Sequence, residues 1–212
     1  MYRKYVKRFF DIVISLLGIV ALSPLFLGVA LAVKLDDAGP VIFSQKRIGK
    51  DKFYFNLYKF RSMKTDTPDI PTHLLSNPEQ YISRVGKFIR KTSIDELPQL
   101  WNILKGDMSI IGPRPALWNQ DDLIAERDKY GANGVKPGLT GLAQVSGRDK
   151  LRIPEKARLD GEYAECLNKG GFKALSMDFK CFIKTFAAVL KPEFSDAEQK
   201  AEASKEREKA AK

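Results

Sequence analysis

From Ile12 to Val33 the chain is almost wholly apolar, with Arg3, Lys4, Lys7 and Arg8 before it and Lys34, Asp36 and Asp37 after it. As a helix this run would measure ~33 Å at ~1.5 Å per residue, close to the hydrocarbon thickness of a bilayer. A cleaved signal peptide would have a shorter apolar core and a small-residue cleavage site, so a membrane anchor is the better reading. Pro24 stands at the centre of the run, directly after Ser23. Proline lacks an N–H and presses on the carbonyl four residues back, which predicts a bend. A kinked spanning helix accommodates such a bend, and so does a re-entrant hairpin that enters and leaves by one face. Charge favours re-entrance. Lys46, Arg47, Lys50 and Lys52 follow closely, and a span with its basic N-terminus inside would put this second basic group outside.

Beyond the anchor, Val41–Ser44 and Phe53–Phe60 read as short strands, the second alternating Phe53, Phe55, Leu57 with Tyr54, Asn56, Tyr58. Gly49 and Asp51 supply a turn between them, and residues 65–78, rich in Thr, Pro, Asp and Ser, read as a loop. Ile82, Val85, Phe88 and Ile89 form a helical stripe beside Arg84, Lys87, Arg90 and Lys91. A second amphipathic helix runs from about Leu175 to Leu190, with Phe179, Phe182, Ile183, Phe186, Val189 and Leu190 on one side. Such helices suit a membrane surface, although a solvated face or a core helix has the same periodicity. The expected fold is therefore α+β and mostly helical: a re-entrant membrane helix, amphipathic interfacial helices and a small β-hairpin or sheet. Three regions are expected: residues 1–35 as the membrane helix with its basic flank, 36–192 as the folded domain, and 193–212 as a charged solvated tail that cannot bury an apolar face.

Composition narrows the chemistry. Thirty-six Lys and Arg against 26 Asp and Glu give a net charge of +10, which favours a polyanionic neighbour: nucleic acid, an anionic membrane or phosphorylated substrates. Cys166 and Cys181 have no metal-ligand spacing and are read as reduced thiols, and the single His73 lies in a Pro-flanked loop. The basic residues surround an apolar anchor without a recognition motif, so nucleic acid is not an expected partner. A membrane-anchored adaptor with a basic face is the main non-enzymatic alternative.

The richest stretch is Lys91–Pro115, KTSIDELPQLWNILKGDMSIIGPRP. Leu97, Leu100, Trp101 and Leu104 share a helical face, and Gly106 is a C-terminal stop. Ser93 with Glu96 fits a capping box, but that start would put Pro98 where its missing N–H should already be bonded. With Asp95 as the cap, Pro98 falls in the first turn, where proline is tolerated. Asp95 would then sit among unpaired backbone N–H groups, and the helix dipole would lower its pKa and weaken it as a nucleophile. Neighbours on a helix diverge by ~100°, which suits separate roles for Asp95 and Glu96. Arg90 and Lys91 lie just upstream, and Arg114 is fixed between Pro113 and Pro115. Lys136–Arg148, KPGLTGLAQVSGR, combines glycines for close backbone approach with a terminal arginine and lacks a Walker A sequence.

These motifs occur in one order: Ser23-Pro24, Tyr58-Lys59-Phe60-Arg61-Ser62-Met63, Ser93-Ile94-Asp95-Glu96-Leu97-Pro98-Gln99-Leu100, Lys105-Gly106-Asp107-Met108-Ser109, Gly112-Pro113-Arg114-Pro115, Pro137-Gly138-Leu139-Thr140-Gly141 and Gln144-Val145-Ser146-Gly147-Arg148. In this the chain resembles the monotopic phosphoglycosyl transferases, bacterial sugar transferases that start surface-glycan assembly such as capsule. The resemblance runs from about Tyr2 to Lys191. It implies a Mg²⁺-dependent transfer of a sugar-1-phosphate from a UDP-sugar to undecaprenyl phosphate, with a covalent phosphosugar on Asp95 and release of UMP. It implies Glu96 as the helper of Asp95, removing a proton or positioning the lipid phosphate, and Asp95 as the contact to Mg²⁺. Lys59, Arg90, Arg114, Arg148 and Asp160 are implied in the substrate pocket, and Ser23 and Pro24 at the membrane kink. It also implies the cytosolic face of the bacterial inner membrane, contact with membrane lipid, and the short form without further N-terminal membrane helices. A homo-oligomer is compatible with it.

Overall fold

The structure, a computed structural model, describes residues 2–68, 77–147 and 151–190. The sequence readings for His73, Arg148 and the 193–212 tail lie outside the described residues.

The apolar run forms two helices. Following a first turn at Tyr2–Val6, α1 spans Lys7–Ala21 and α2 spans Ser23–Asp36, with Leu22 between them. No single helix among the described residues is long and apolar enough to cross a membrane, but Tyr2–Ala21 and Ser23–Asp36 pass that test together, bent by 62°. The local cause is legible in atoms. Pro24 has no N–H to give the Val20 carbonyl four residues back, and Ser23 Oγ donates to that carbonyl instead at 2.8 Å. The outer faces of the pair carry exposed apolar side chains, including Leu17, Val20, Leu27, Leu31 and Leu35. The inner face of α1 buries Lys7, Asp11 and Ser15.

Both ends of this bent segment are tied to the rest of the molecule. At the N-terminal end Asp11 Oδ1 accepts from Ser109 Oγ and from the Ile110 N–H, each at 2.9 Å. Lys7 Nζ donates to Asp178 at 2.9 Å, and the Tyr2 hydroxyl donates to the same carboxylate at 2.7 Å. At the other end Asp36 accepts from the Val85 N–H at 2.9 Å, and Asp37 accepts from the Thr65 N–H and contacts Arg61.

The expected hairpin is present and longer in its first strand: β1, Ile42–Ile48, pairs antiparallel with β2, Tyr54–Phe60, so that Lys59 lies opposite Phe43. The turn between them carries Asp51 and Lys52 with positive φ. Then come α3 (Arg84–Lys91), capped by Ser83 Oγ accepting from the Gly86 N–H, and α4 (Gln99–Lys105). A second two-stranded sheet had no clear signature in the sequence: β3, Ser109–Ile111, pairs parallel with β4, Gly138–Thr140. A Cβ on Gly138 would lie 2.1 Å from the Gly112 nitrogen, and one on Gly141 would lie 2.0 Å from the Gly112 oxygen, so these glycines are what allow the backbones to meet. The remaining helices are α5 (Asp121–Asp128), α6 (Leu142–Ser146), α7 (Ile153–Lys169) and α8 (Gly171–Leu190). The molecule is thus mostly helical with small sheets.

One packing expectation is corrected, and the two readings left open for the last helix are divided between its faces. In α4 the buried residues are Gln99, Leu100, Asn102 and Ile103, while Trp101 is half exposed. The helix lies between α1 and β2, and Asn102 is turned inward to serve the strand. Its Oδ1 accepts from the Tyr58 N–H at 3.0 Å, and its Nδ2 donates to the Asn56 carbonyl at 2.7 Å. In α8 the aromatic stripe divides: Ala174, Asp178 and Cys181 face the core, Phe182 packs against it, and Phe172, Leu175, Phe179, Ile183 and Phe186 are exposed.

Because Asn102 is fully buried, Asn102→Ala strands a strand N–H and a carbonyl without water. The expected cost is about 3 kcal/mol, read as a lower thermal unfolding midpoint, whereas Trp101→Ala on the neighbouring exposed position is expected to change the midpoint little.

Candidate active site

Asp95 and Glu96 sit in a short 3₁₀ turn, Ile94–Glu96, between α3 and α4. Neither predicted cap forms. Ser93 is left-handed (φ 57°) and makes no side-chain cap, and Pro98, with α-helical φ and ψ, is itself the residue before the first turn of α4. The turn is tied instead by i→i+3 bonds, Glu96 N–H to the Ser93 carbonyl and Leu97 N–H to that of Ile94. Pro98 is accommodated because it precedes the first turn of α4, where an N–H would have no partner within that helix.

Glu96 is the hub. Lys59 Nζ from β2 donates to Glu96 Oε1 at 2.7 Å, and Arg114 Nη2 donates to the same oxygen at 2.9 Å. Burial alone would raise the Glu96 pKa, but the charges and hydrogen bonds of Arg114 and Lys59 outweigh it and bring it down to about 2. Asp95 goes the other way. It is buried, and desolvation together with the neighbouring Glu96 charge raises its pKa against the lowering fields of Lys59, Arg90 and Arg114. The expected lowering by a helix dipole is therefore corrected, because Asp95 does not start an α-helix and desolvation dominates.

Arg114 is set by its backbone. Each carbonyl from Pro113 to Ala116 accepts a hydrogen bond: Pro113 from the Gly138 N–H at 2.8 Å, Arg114 from Arg127 Nη2 at 2.9 Å, and, from the end of β1, Pro115 from Arg47 Nη1 at 3.0 Å and Ala116 from the Ile48 N–H at 3.0 Å. Arg127 is held in turn by Asp160, whose Oδ2 accepts from Nε at 2.9 Å and Nη2 at 2.6 Å. Both members of that pair are buried. Asp160, implied in the substrate pocket, connects to the carboxylates through Arg127 and the Arg114 backbone.

Two arginines were missed by the sequence reading. Arg127 sits in the last turn of α5, a helix with little amphipathic pattern, and no local signal marks it. Arg47 was noted only as membrane-flanking charge. It bonds Gln45 and the Pro115 carbonyl and has no carboxylate within ion-pair distance among the described residues. Burial, followed by the Arg114 charge, lowers its pKa to about 10, with Glu96 opposing. A signal existed in its period-two placement with Gln45 on β1. Lys59, Arg90, Arg114 and Arg47 thus set four cations around two carboxylates, a surplus that matches a diphosphate.

Among the described residues no group of three or more His, Cys, Asp or Glu side chains could hold a metal ion. Glu96 is engaged by two cations, which leaves Asp95 as the carboxylate a metal could take. That fits an ion such as Mg²⁺, which is commonly bound by one or two carboxylates together with substrate phosphates and water.

Residues 2–192 match the family described as bacterial sugar transferase, and the chain belongs to that family. It is 47% identical over 147 residues to the undecaprenyl-phosphate glucose phosphotransferase of Komagataeibacter xylinus, covering 66% of this chain and 28% of that protein. It is 42% identical over 146 residues to the UDP-N-acetylgalactosamine-undecaprenyl-phosphate N-acetylgalactosaminephosphotransferase of Aeromonas hydrophila, covering 66% and 34%. Similarity to the exopolysaccharide production protein PSS of Rhizobium leguminosarum bv. phaseoli is 39% over 194 residues, covering 87% of this chain and 94% of that one. The chain spans 28% to 42% of the length of several curated relatives it matches.

The opposed shifts give opposite stability effects. The folded Glu96 pKa of about 2 lies below its ordinary 4.5, so its contribution is complete above about pH 4.5 and is lost as pH falls toward 2. At neutral pH Glu96→Gln is expected to cost roughly 2 kcal/mol, discounted because Arg114 is half exposed. The raised Asp95 is ionised at a cost, so Asp95→Asn is expected to raise the unfolding midpoint at neutral pH. Thermal melts of the two variants check both signs.

Proposed function

We propose that this member of the bacterial sugar transferase family transfers a sugar-1-phosphate from a UDP-sugar to undecaprenyl phosphate, the first membrane step of glycan assembly. The observation that carries the reading is the Asp95–Glu96 turn, with one carboxylate raised by burial and the other locked between Lys59 and Arg114. The relatives' names support the acceptor, and the name of the Aeromonas protein supports a UDP-linked donor.

In the first step an Asp95 oxygen attacks the sugar-bearing phosphorus. The bond from that phosphorus to the bridging oxygen breaks, its electron pair leaves on UMP, and the phosphosugar stays on Asp95 as an acyl phosphate. In the second step an oxygen of the lipid phosphate attacks the same phosphorus, the bond to Asp95 breaks, and the carboxylate is restored as the lipid diphosphate sugar forms. A raised, desolvated carboxylate is a better nucleophile than one held low by a dipole. Glu96, with a pKa of about 2, is a poor proton acceptor at neutral pH. Its part is to orient Lys59 and Arg114 toward the diphosphate. Arg90 and Arg47 add charge to the same anion, and Arg148 is assigned to substrate by the family resemblance. Mg²⁺ bound at Asp95 and the diphosphate would supply Lewis-acid activation of the phosphorus.

The bent pair α1–α2 is proposed as a re-entrant membrane segment, residues 1–35, with the catalytic domain of residues 36–192 on the cytosolic face of the inner membrane. Both of its ends dock on one folded body, which favours entry and exit by one face. Relatives of comparable identity are named for glucose and N-acetylgalactosamine, so sugar choice is assigned to residues outside the shared phosphate-binding core.

With a UDP-sugar and no lipid acceptor, the enzyme is expected to release UMP in no more than equimolar amount, and Asp95→Asn none. Normal turnover by Asp95→Asn would rule out the covalent route. Arg114→Lys is expected to lose roughly a hundredfold in turnover, since an ammonium cannot replace the guanidinium fork. In a Cys166→Ser background, cysteines introduced as Lys4→Cys and Ala38→Cys are expected to label from the cytosolic side alone. Labelling of the two from opposite sides would exclude re-entrance.

A further inference from the structure

A cavity of about 1070 Å³ lies between the first turns of the chain, the α7–α8 junction and the start of β4, and none of the carboxylate site's residues line it. Its lining includes seven Lys or Arg side chains and one carboxylate, Asp11. Most of these cations are engaged. Lys7 is paired with Asp178, Lys50 with Asp51 and Lys169 with Glu165, while Arg8 donates to the Ile103 and Leu104 carbonyls at the end of α4.

Lys136 is different. It is half-buried and makes no hydrogen bond or ion pair among the described residues, and burial, then the Arg8 charge, lowers its pKa. The point where a Cβ would stand on Gly106 is 3.3 Å from Arg8 Nη2 and 3.4 Å from Lys136 Nζ. Two cations that both line the basic cavity therefore approach one spot beside Gly106. The charges of Asp11 and Asp107 act on Lys136 without outweighing its burial, and an anion between Lys136 and Arg8 would relieve the arrangement. The rim has another character. Phe172 is 82% exposed, and Leu175 and Val6 are each 40% exposed. The cavity is also set at the level where α1 begins its exposed apolar face at Phe9 and Phe10.

We propose that this cavity binds the phosphate headgroup of an anionic phospholipid, with Lys136 and Arg8 on the phosphate and the acyl chains running past Phe172 and Leu175 along the outer face of α1. Basic pockets at the cytoplasmic edge of membrane segments are suited to such headgroups. The site is separate from the transfer site: Asp95 precedes α4 and Gly106 ends it, with ~10 Å of helix between. The proposal rests on the membrane placement of α1–α2.

The test uses the full chain with Lys136→Gln, which keeps the side-chain stem, and Lys136→Arg, which keeps the charge. In nanodiscs, replacing part of a phosphatidylcholine bilayer with phosphatidylglycerol is expected to raise the unfolding midpoint of the wild type and of Lys136→Arg. The Lys136→Gln variant is expected to show an apparent phosphatidylglycerol affinity about fivefold weaker, the worth of one basic residue at a membrane surface. An equal response from Lys136→Gln overturns the proposal. So does an equal midpoint rise from inorganic phosphate in pure phosphatidylcholine discs, which would make the ligand a free anion. Flotation of the wild type with neutral vesicles separates the two levels of argument. If it fails, the membrane placement falls and this site with it; if it succeeds while Lys136→Gln responds fully, only the site falls.

Discussion

The structure depends on one carboxylate being shared. Glu96 Oε1 accepts from a lysine on β2 and from an arginine 18 residues downstream, so strand, turn and the post-β3 segment are referred to a single atom. A carboxylate between two cations in a partly buried place is stabilised by their charge and also depends on their positions. Those positions are fixed by backbone. Lys59 is in register on the hairpin that Asn102 clips to α4. Arg114 sits on a segment that, with proline on both sides, offers carbonyls and few N–H groups, and every carbonyl from Pro113 to Ala116 is held. Pre-organisation here means that two long side chains lose little further freedom when an anion arrives.

Much of this was legible in the sequence because it is local. The hairpin, the apolar stripe of α3, the bend at Ser23-Pro24 and the Gly106 stop follow from period, turn residues and proline chemistry over a few positions. The close approach of glycines was also readable in kind, although its partners, Gly112 with Gly138 and Gly141, were not. What escaped depends on distance along the chain. The parallel pairing of β3 with β4 joins two strands of three residues, too short for alternation to show. Arg127 and Asp160 are 33 residues apart, and each alone resembles a helix-surface charge. The cap at Asp95 was misread because proline chemistry allows two ways of starting α4, and the tighter turn has no composition of its own.

The adjacent carboxylates show how one turn separates two chemistries. Asp95 and Glu96 share a sequence position to within one residue and nearly the same cations, yet their pKa values move in opposite directions. The closeness of the cations decides the difference: the charges of Arg114 and Lys59, and then their hydrogen bonds, pull Glu96 down. For Asp95 desolvation exceeds the longer-range attractions. One turn thus holds an ionised anchor beside a less stabilised carboxylate, through cations brought to it from β2 and from the segment after β3.

The same economy governs how the apolar segment meets the domain. A hairpin wholly exposed to lipid would be free to tilt, and its depth would be set by hydrophobic length alone. Here Asp11 and Ser15 are turned inward on α1, and Asp11 accepts from Ser109 and Ile110, the first residues of β3. That strand leads within three residues to Pro113 and Arg114. At the far end Asp36 accepts from the backbone of α3, the helix that carries Arg90. The segment's two ends are thus bonded to the two stretches of chain that flank the Asp95–Glu96 turn. Any change in the angle between α1 and α2 must strain those bonds or move Arg90 and Arg114 relative to each other. The bend at Leu22 is therefore a geometric determinant of the site, since it sets the distance between the two anchors on which the cations ride.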